Sequence, residues 1–477
     1  MKKREEPLVF AAAALLLYCP ALLAPPPPVD QGFLEANALL RLPWAGFWSG
    51  LLSRYYFILT GEATYQPLIT LLHYLTAGLP SVFHVLVVGA HAFNAWLLFV
   101  LARRLGLGDK TSWLAGLLLA AFPPATEAVA VPSFAGHIFG LTATLSCVVC
   151  WLCAQEGRRD EKWWLAGSYS GFIAGLLCKE TVVVAPALLA LCRFCDVRPA
   201  PWRKTLIHGA GFPVLAAGYL AWRFSLPLLP SIPAPHRADW MLSLGWYARM
   251  LAAPWPLCFE HAGLPAGLTA FAGLFVLVGS FVVLKPALLL GWGWIVLELL
   301  PYLHFIPFAH TSPVADRYLY FAAAGYCLLL GQLFDSRKGR IILAVSLILW
   351  SALTLRRNVM LADGPGLCEQ TGACAPDSAP AQIMVGNSRL SRGLYGPANE
   401  AYLKAVAIDP SQSVAWSNLG ISRCMLGDYD GGIEAFEKSL ALLNSPQVRS
   451  NLENARKEKK KATSAAGRKP RAGPSLP

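Results

Sequence analysis

Long apolar runs recur along this chain as far as residue 355 and then stop. A run of about 20 apolar residues crosses a bilayer, and inside hydrocarbon every backbone N–H and C=O must be satisfied within the segment. A succession of such runs therefore admits membrane helices and little else. Eleven stretches qualify as candidate spans: 8–24, 81–101, 112–123, 133–154, 163–178, 181–195, 206–223, 267–284, 286–300, 316–334 and 340–355. Several are short and need loops or neighbouring helices to complete them. Composition agrees, with 55% hydrophobic and 14% charged residues, against about 25% charged in soluble domains. From Arg356 onward the chain is polar.

The placement of Lys and Arg tests this topology. With Lys2, Lys3 and Arg4 on the cytosolic side, every second loop should be basic. The alternate loops carry Arg103, Arg104 and Lys110; Arg158, Arg159 and Lys162; Arg193, Arg198, Arg203 and Lys204; Lys285; and Arg337, Lys338 and Arg340. An odd number of spans puts the C-terminal part outside. A cleaved signal peptide is the alternative for the first stretch. No clear small-x-small cleavage site precedes Pro25 to Pro28, so a retained anchor is expected. Three external segments follow, 25–80, 224–266 and 301–316. The first mixes Trp, Tyr and Phe with Arg around Leu39 to Phe57, which suits helices lying at the interface.

The net charge of +12 is not a nucleic-acid signature. Eight Lys/Arg against one Glu between Arg456 and Pro477 supply seven of those charges. That segment lacks aromatics and reads as a solvated, disordered tail. Of the twelve cysteines, Cys147, Cys150 and Cys153 lie in an apolar helix, where small thiols pack, and no metal site is expected. Cys368 and Cys374 flank a polar stretch, where a disulfide forms if that stretch is outside the cytosol.

After the last span a 34-residue period appears: Gly386 with Gly420, Gly393 with Gly427, Tyr395 with Tyr429, and Tyr402 with Phe436. Small residues at Ala398 and Ala405 recur as Gly432 and Ser439, and Pro410 closes the first unit. This is the tetratricopeptide helix–turn–helix pattern. The fold class expected is all-α: a polytopic membrane domain over 1–355, a linker at 356–378, a short tetratricopeptide solenoid with a capping helix over 379–460, and a basic tail at 461–477. The repeats read either as a capping module or as a groove for a protein partner.

Ionisable groups at membrane depth are costly and mark candidate sites. Asp30 follows the first span in the external loop, where a carboxylate takes a proton from a hydroxyl nucleophile without entering hydrocarbon. His84 and His91 are two helical turns apart, with Asn94 just beyond. They form a polar stripe that serves either substrate or interhelical hydrogen bonding. Glu127 lies between the third and fourth spans with His137 ten residues later, and Lys179 and Glu180 lie at another external corner. Arg317 opens the tenth span, where it binds a lipid phosphate, snorkels, or pairs with Asp316. No nucleotide-cradling Gly-rich loop, zinc-ligand spacing or serine-nucleophile motif is present. A sugar donor would therefore be lipid-linked rather than a nucleotide sugar.

Taken in order, VDQGFLEAN, TYQPLITLLHYLTAGLPSVFHVLVVGAHAFNAWLL, PPATEAVAVPSFAGH, LLCKETVVVAPALLAL, LPYLHFIPFAHTSPVADRYLYFAAAGYCLLL and TLRRN with the repeats resemble the transmembrane and tetratricopeptide-repeat protein O-mannosyltransferases and their bacterial relatives, within the GT-C membrane glycosyltransferases. The resemblance implies an inverting transfer of mannose or another hexose from a polyprenyl-phosphate donor to a protein or glycan acceptor at the external face. It implies Asp30 as the general base, Arg317 and Lys179 on the donor phosphate, and Tyr65, His84, Glu127 and Glu180 shaping the substrate site; His91 and His137 join the site-shaping candidates from their place at membrane depth. No cofactor beyond the donor is implied, and the acidic site is compatible with a divalent metal. The chain departs from the family pattern at Val29, where an acid is usual, at Gln66 within Tyr65-Gln66-Pro67-Leu68, and at Phe122, Ala125 and His137. The compact chain and short array fit a bacterial inner membrane, with the repeats periplasmic and the N-terminus cytoplasmic. Two other classes stay open: a non-catalytic membrane scaffold whose repeats recruit an envelope partner, and a transporter of lipid-linked glycans.

Overall fold

The computed structural model describes residues 5–24, 37–60, 64–76, 79–157, 159–195, 201–226, 240–259, 261, 273–274, 278, 286–303 and 314–466. Asp30, Glu35, Glu62 and most of the expected span 267–284 lie outside these. Among the described residues the regular elements are all helical. The chain divides into two units, a helical body through Asp363 and a repeat unit from Gly364.

In the first unit, helices occupy the apolar stretches of the sequence apart from 267–284. Four are long and apolar enough to cross a membrane by length and composition: Glu6–Leu23, Pro80–Arg104, Pro132–Gln155 and Arg337–Ala362. Others are shorter, such as Asp109–Ala120 and Ala185–Cys195. The central Pro80–Arg104 helix packs on Glu6–Leu23, Asp109–Ala120 and Ala135–Gln155. A second layer pairs Pro286–Leu299 with Leu319–Leu333. Glu6–Leu23 and Arg337–Ala362 bury little of their surface, with Leu16 and Ile348 among the exposed residues. In a chain of this hydropathy, that outward apolar face is solvated by lipid.

The hairpin of Ala135–Gln155 and Glu161–Cys178 shows why the sequence packs as it does. Gly167, Gly171 and Gly175 form a stripe at four-residue spacing. A Cβ at Gly171 would stand 3.1 Å from the Ala143 carbonyl oxygen, and one at Gly167 would stand 3.3 Å from the Cys150 sulfur. Small residues let membrane helices approach to backbone contact. Cys147 and Cys150 are free thiols facing this stripe, and Ser168 donates to the Cys147 carbonyl at 2.9 Å.

The basic loops gather at one end of this unit. Arg103 bridges Glu6 at 3.2 Å and Asp109 at 3.0 Å, Arg104 bridges Glu156 at 2.5 Å, and Lys204 bridges Glu161 at 2.7 Å. The loops that carry Arg103, Glu156 and Lys204 therefore share one face. The segment after the first helix folds into short helices, Trp44–Leu51, Tyr56–Thr60 and Pro67–Leu75, around Leu39, Phe47, Tyr56 and Phe57.

The repeat unit holds two antiparallel helix pairs, Ala379–Ser391 with Tyr395–Ile408 and Ser413–Met425 with Tyr429–Leu442. Gly393 and Gly427 take φ of +73° and +83° in the equivalent turns, a region that side chains disfavour. Gly386 and Gly420 face the rings of Tyr402 and Phe436, and a Cβ would stand 2.4 and 2.7 Å from those rings. The small-against-aromatic period of the sequence is thus a packing code. Phe436 also packs on Val448, Leu452 and Ala455 of the closing helix Pro446–Ala466, which runs six residues past the expected boundary at 460.

Two sequence expectations change here. The stretch assigned as a linker, 356–378, holds the end of Arg337–Ala362 and a further helix, Gly364–Cys374, which packs on Ala379–Ser391. Arg389 clamps Glu369 of that helix through two bonds of 2.8 Å. Cys368 is buried and outside any disulfide, whereas Cys374 is in one, so the two do not pair with each other. Six residues on one helix rise by about 9 Å, beyond the span a disulfide bridges.

Candidate functional site

The end of the first unit opposite the basic belt collects the charged residues of the loop motifs. Glu127 sits in the short helix Ala125–Ala130, started by Pro123 and Pro124. Arg317 sits in the turn Asp316–Tyr318 that leads into Leu319–Leu333. The Arg317 backbone N–H donates to Glu127 Oε2 at 2.9 Å, and its Nη1 pairs with Glu127 Oε1. The guanidinium carbon lies 4.4 Å over the Phe134 ring. Both residues are buried, at 0% and 3% exposure. Of the fates the sequence offered Arg317, the geometry shows a buried ion pair, and its acid is Glu127, 190 residues away. Arg357, which donates to the Leu257 carbonyl at 2.8 Å, comes within electrostatic reach of Asp316 and Glu127. The node therefore holds two acids and two arginines. Next to it His137, Tyr302 and Tyr318 stack, with the two tyrosine rings 4.5 Å apart.

A second node forms around Glu180. Its Oε1 accepts from the Tyr65 backbone N–H at 2.7 Å and from Nε of Arg223. Glu180 opens a short 3-10 turn after Lys179, and Arg223 lies near the end of the helix Gly211–Ser225. The Arg223 guanidinium lies 4.4 Å over Phe57, and Tyr65 packs edge-on against Trp222 at 4.7 Å. This node thus clamps the aromatic segment 37–75 onto the helical body. Burial pushes the Tyr65 phenol up to about 12, so it stays neutral. Lys179 is buried beside the Gly136 and Gly140 face of the Ala135–Gln155 helix.

The polar stripe divides. His91 Nε2 faces the Ala120 carbonyl at 3.1 Å and Nδ1 faces the Tyr320 hydroxyl at 2.7 Å, while Asn94 donates to Tyr320 and to the Ile138 carbonyl at 3.0 Å each. A carbonyl only accepts, so Nε2 carries the proton and Nδ1 accepts from Tyr320. His91 and Asn94 thereby join the helices of the core. His84, seven residues earlier, faces the backbone of Val129 beside Glu127.

Glu127, Arg317 and His137 thus come together in one node, and Glu180, Tyr65 and the adjacent Lys179 in the other. His91 sits in the helical core, and Asp30 lies outside the described residues. Arg223, Arg357, Tyr302 and Tyr318 were missed by sequence reasoning. Arg223 carries the one usable signal, a cation at the external end of an apolar run. Among the described residues no group of three or more His, Cys, Asp or Glu is placed to hold a metal ion.

No protein-family model matches the chain. It is 35% identical over 145 residues to "Protein O-mannosyl-transferase Tmtc1" of Drosophila melanogaster, covering 28% of this chain and 16% of that protein. It is 27% identical over 396 residues to "Protein O-mannosyl-transferase TMTC4" of Homo sapiens, covering 65% of this chain and 52% of that protein. The chain thus spans about half the length of that human relative. Among solved structures it is similar to the Sgt2 TPR domain from Aspergillus fumigatus, at 26% identity over 26% of this chain and 82% of that one, with a TM-score of 0.21.

Proposed function

With this chain standing as a relative of the transmembrane and tetratricopeptide-repeat protein O-mannosyltransferases, we propose that it is an inverting membrane glycosyltransferase of about eleven spans and GT-C type. It moves a hexose from a polyprenyl phosphate to a protein hydroxyl on the non-cytosolic side. The observation that carries this reading is the segregation of charge in the first unit. The basic loops are tied together at one end, and the two acid–arginine nodes lie at the other. Asp30 follows Leu23, the end of the first helix remote from the Glu6–Arg103 bridge, by seven residues.

In this proposal the Asp30 carboxylate orients and deprotonates the acceptor hydroxyl. The oxygen attacks the anomeric carbon from the face opposite the phosphate, and the single displacement inverts that centre. Lys179 and Arg317, the latter fixed by Glu127, stabilise charge on the departing lipid phosphate. No cofactor is required beyond the lipid-linked donor. The repeat unit presents the protein acceptor.

The test is transfer of labelled hexose from a polyprenyl-phosphate hexose to acceptor protein by the purified chain in nanodiscs. Wild type transfers, and Asp30→Asn, folded and inserted, loses at least a hundredfold. A chain that inserts and folds but transfers nothing from any lipid-linked hexose overturns the proposal in favour of a scaffold.

A further inference from the structure

Beside Glu180, three polar groups keep hydrogen-bonding capacity that the described residues do not use. Glu180 Oε2 is buried and has no hydrogen-bond partner among the described residues, and neither has the Tyr219 hydroxyl. Arg223 is 2% exposed, yet among the described residues only its Nε is hydrogen-bonded, which leaves the Nη1–Nη2 edge unused. Tyr219 stands four residues before Arg223 on one helix and so shares its face. Its hydroxyl is within electrostatic reach of Glu180, Arg223 and Tyr65. Buried polar atoms are nearly always satisfied, and a cluster that is not points to a bound group.

We propose that Glu180, Tyr219 and Arg223 form a subsite for the hydroxyls of a hexose. The inference rests on the transferase reading and names where its sugar sits. Within these three groups one carboxylate is offset by one guanidinium, which suits an uncharged ligand, and the adjacent Lys179 carries the charge for a neighbouring phosphate. A phosphate would face the unshared Glu180 oxygen and be repelled. A hydroxyl both donates and accepts, so adjacent hydroxyls answer an acceptor at Glu180, donors at Arg223 and the amphoteric Tyr219. Trp222 is 40% exposed at the rim, beside Tyr65, and offers a flat apolar surface to the C–H face of a pyranose. Lys179 adjoins Glu180 in the chain, so a phosphate held there is next to the sugar.

The experiment is saturation-transfer NMR on the full chain in nanodiscs, with methyl α-D-mannopyranoside as probe and inorganic phosphate as competitor. Wild type binds the hexoside, and phosphate does not displace it. Tyr219→Phe removes a hydroxyl with no partner among the described residues, so its melting temperature holds or rises. Its hexoside affinity falls about tenfold. In the transfer assay the same variant raises the KM for the lipid-linked donor and changes kcat little. No hexoside binding by wild type, equal binding by Tyr219→Phe, or displacement by phosphate each overturns the subsite. Transfer with an unchanged KM in Tyr219→Phe removes the subsite and leaves the transferase standing. Tyr219-dependent hexoside binding without transfer from any donor does the reverse.

Discussion

At the residue scale, the two acid–arginine pairs matter because neither charge tolerates burial alone. Removing one partner of a buried pair strands the other, at about 3–5 kcal/mol. Arg317→Ala should therefore lower the thermal stability of the protein by about that amount, read by melting in detergent. Arg317→Ala with Glu127→Ala should recover part of the stability and none of the transfer. Full recovery of transfer in the double variant would remove Arg317 from the chemistry. Sequence reasoning flagged Glu127, Glu180 and Arg317 because charge at membrane depth is conspicuous. It could not pair them, since the partners lie 190 and 43 residues apart in the chain. Arg223 closes an apolar run in the manner of an ordinary interface anchor, and Tyr219 within that run reads as packing. Only the fold shows that both face Glu180.

At the element scale, glycine sets how closely helices meet. The stripe Gly167, Gly171 and Gly175 brings its helix to backbone contact with Ala135–Gln155. Gly171→Leu should accordingly abolish monodisperse protein on size exclusion, whereas Gly218→Leu, which has nothing within 4 Å, should not. In the repeats, Gly420→Ala drives a methyl into the Phe436 ring and should cost about 1–3 kcal/mol of repeat stability. The repeats were legible because their 34-residue period pairs each small residue with an aromatic. The helix Gly364–Cys374 was not, because it stands ahead of the period and its polar sequence reads as linker. That helix also predicts a pH dependence. The Arg389 guanidinium holds the Glu369 carboxyl below its ordinary value. A depressed acid contributes stability above its unfolded pKa, and that contribution is lost as pH falls through the folded one. The repeat melting transition should therefore fall on acidification below the usual glutamate range, and by less in Glu369→Gln. Identical acid sensitivity in the two proteins would show that the clamp contributes nothing.

At the scale of the whole molecule, polarity is the organising fact. The loops at Arg103, Glu156 and Lys204 meet at one end of the helical body, and Glu127 and Glu180 sit at the other. Hydropathy and charge counting could anticipate this because lipid imposes both on the sequence directly. They could not fix the number of crossings. Segments such as Asp109–Ala120 and Ala185–Cys195 are too short to cross a bilayer alone, and hydropathy does not say how packing completes them. Single cysteines at positions 110 and 204, labelled in sealed vesicles, should report the cytosolic side, and one at position 64 the opposite side. The central claim, a carboxylate at position 30 that activates an acceptor beside a lipid-linked hexose, is tested most directly by reconstituted transfer with the Asp30→Asn chain. The account predicts product from wild type and at least a hundredfold less from the variant at equal folding and insertion. Equal product from both would contradict it.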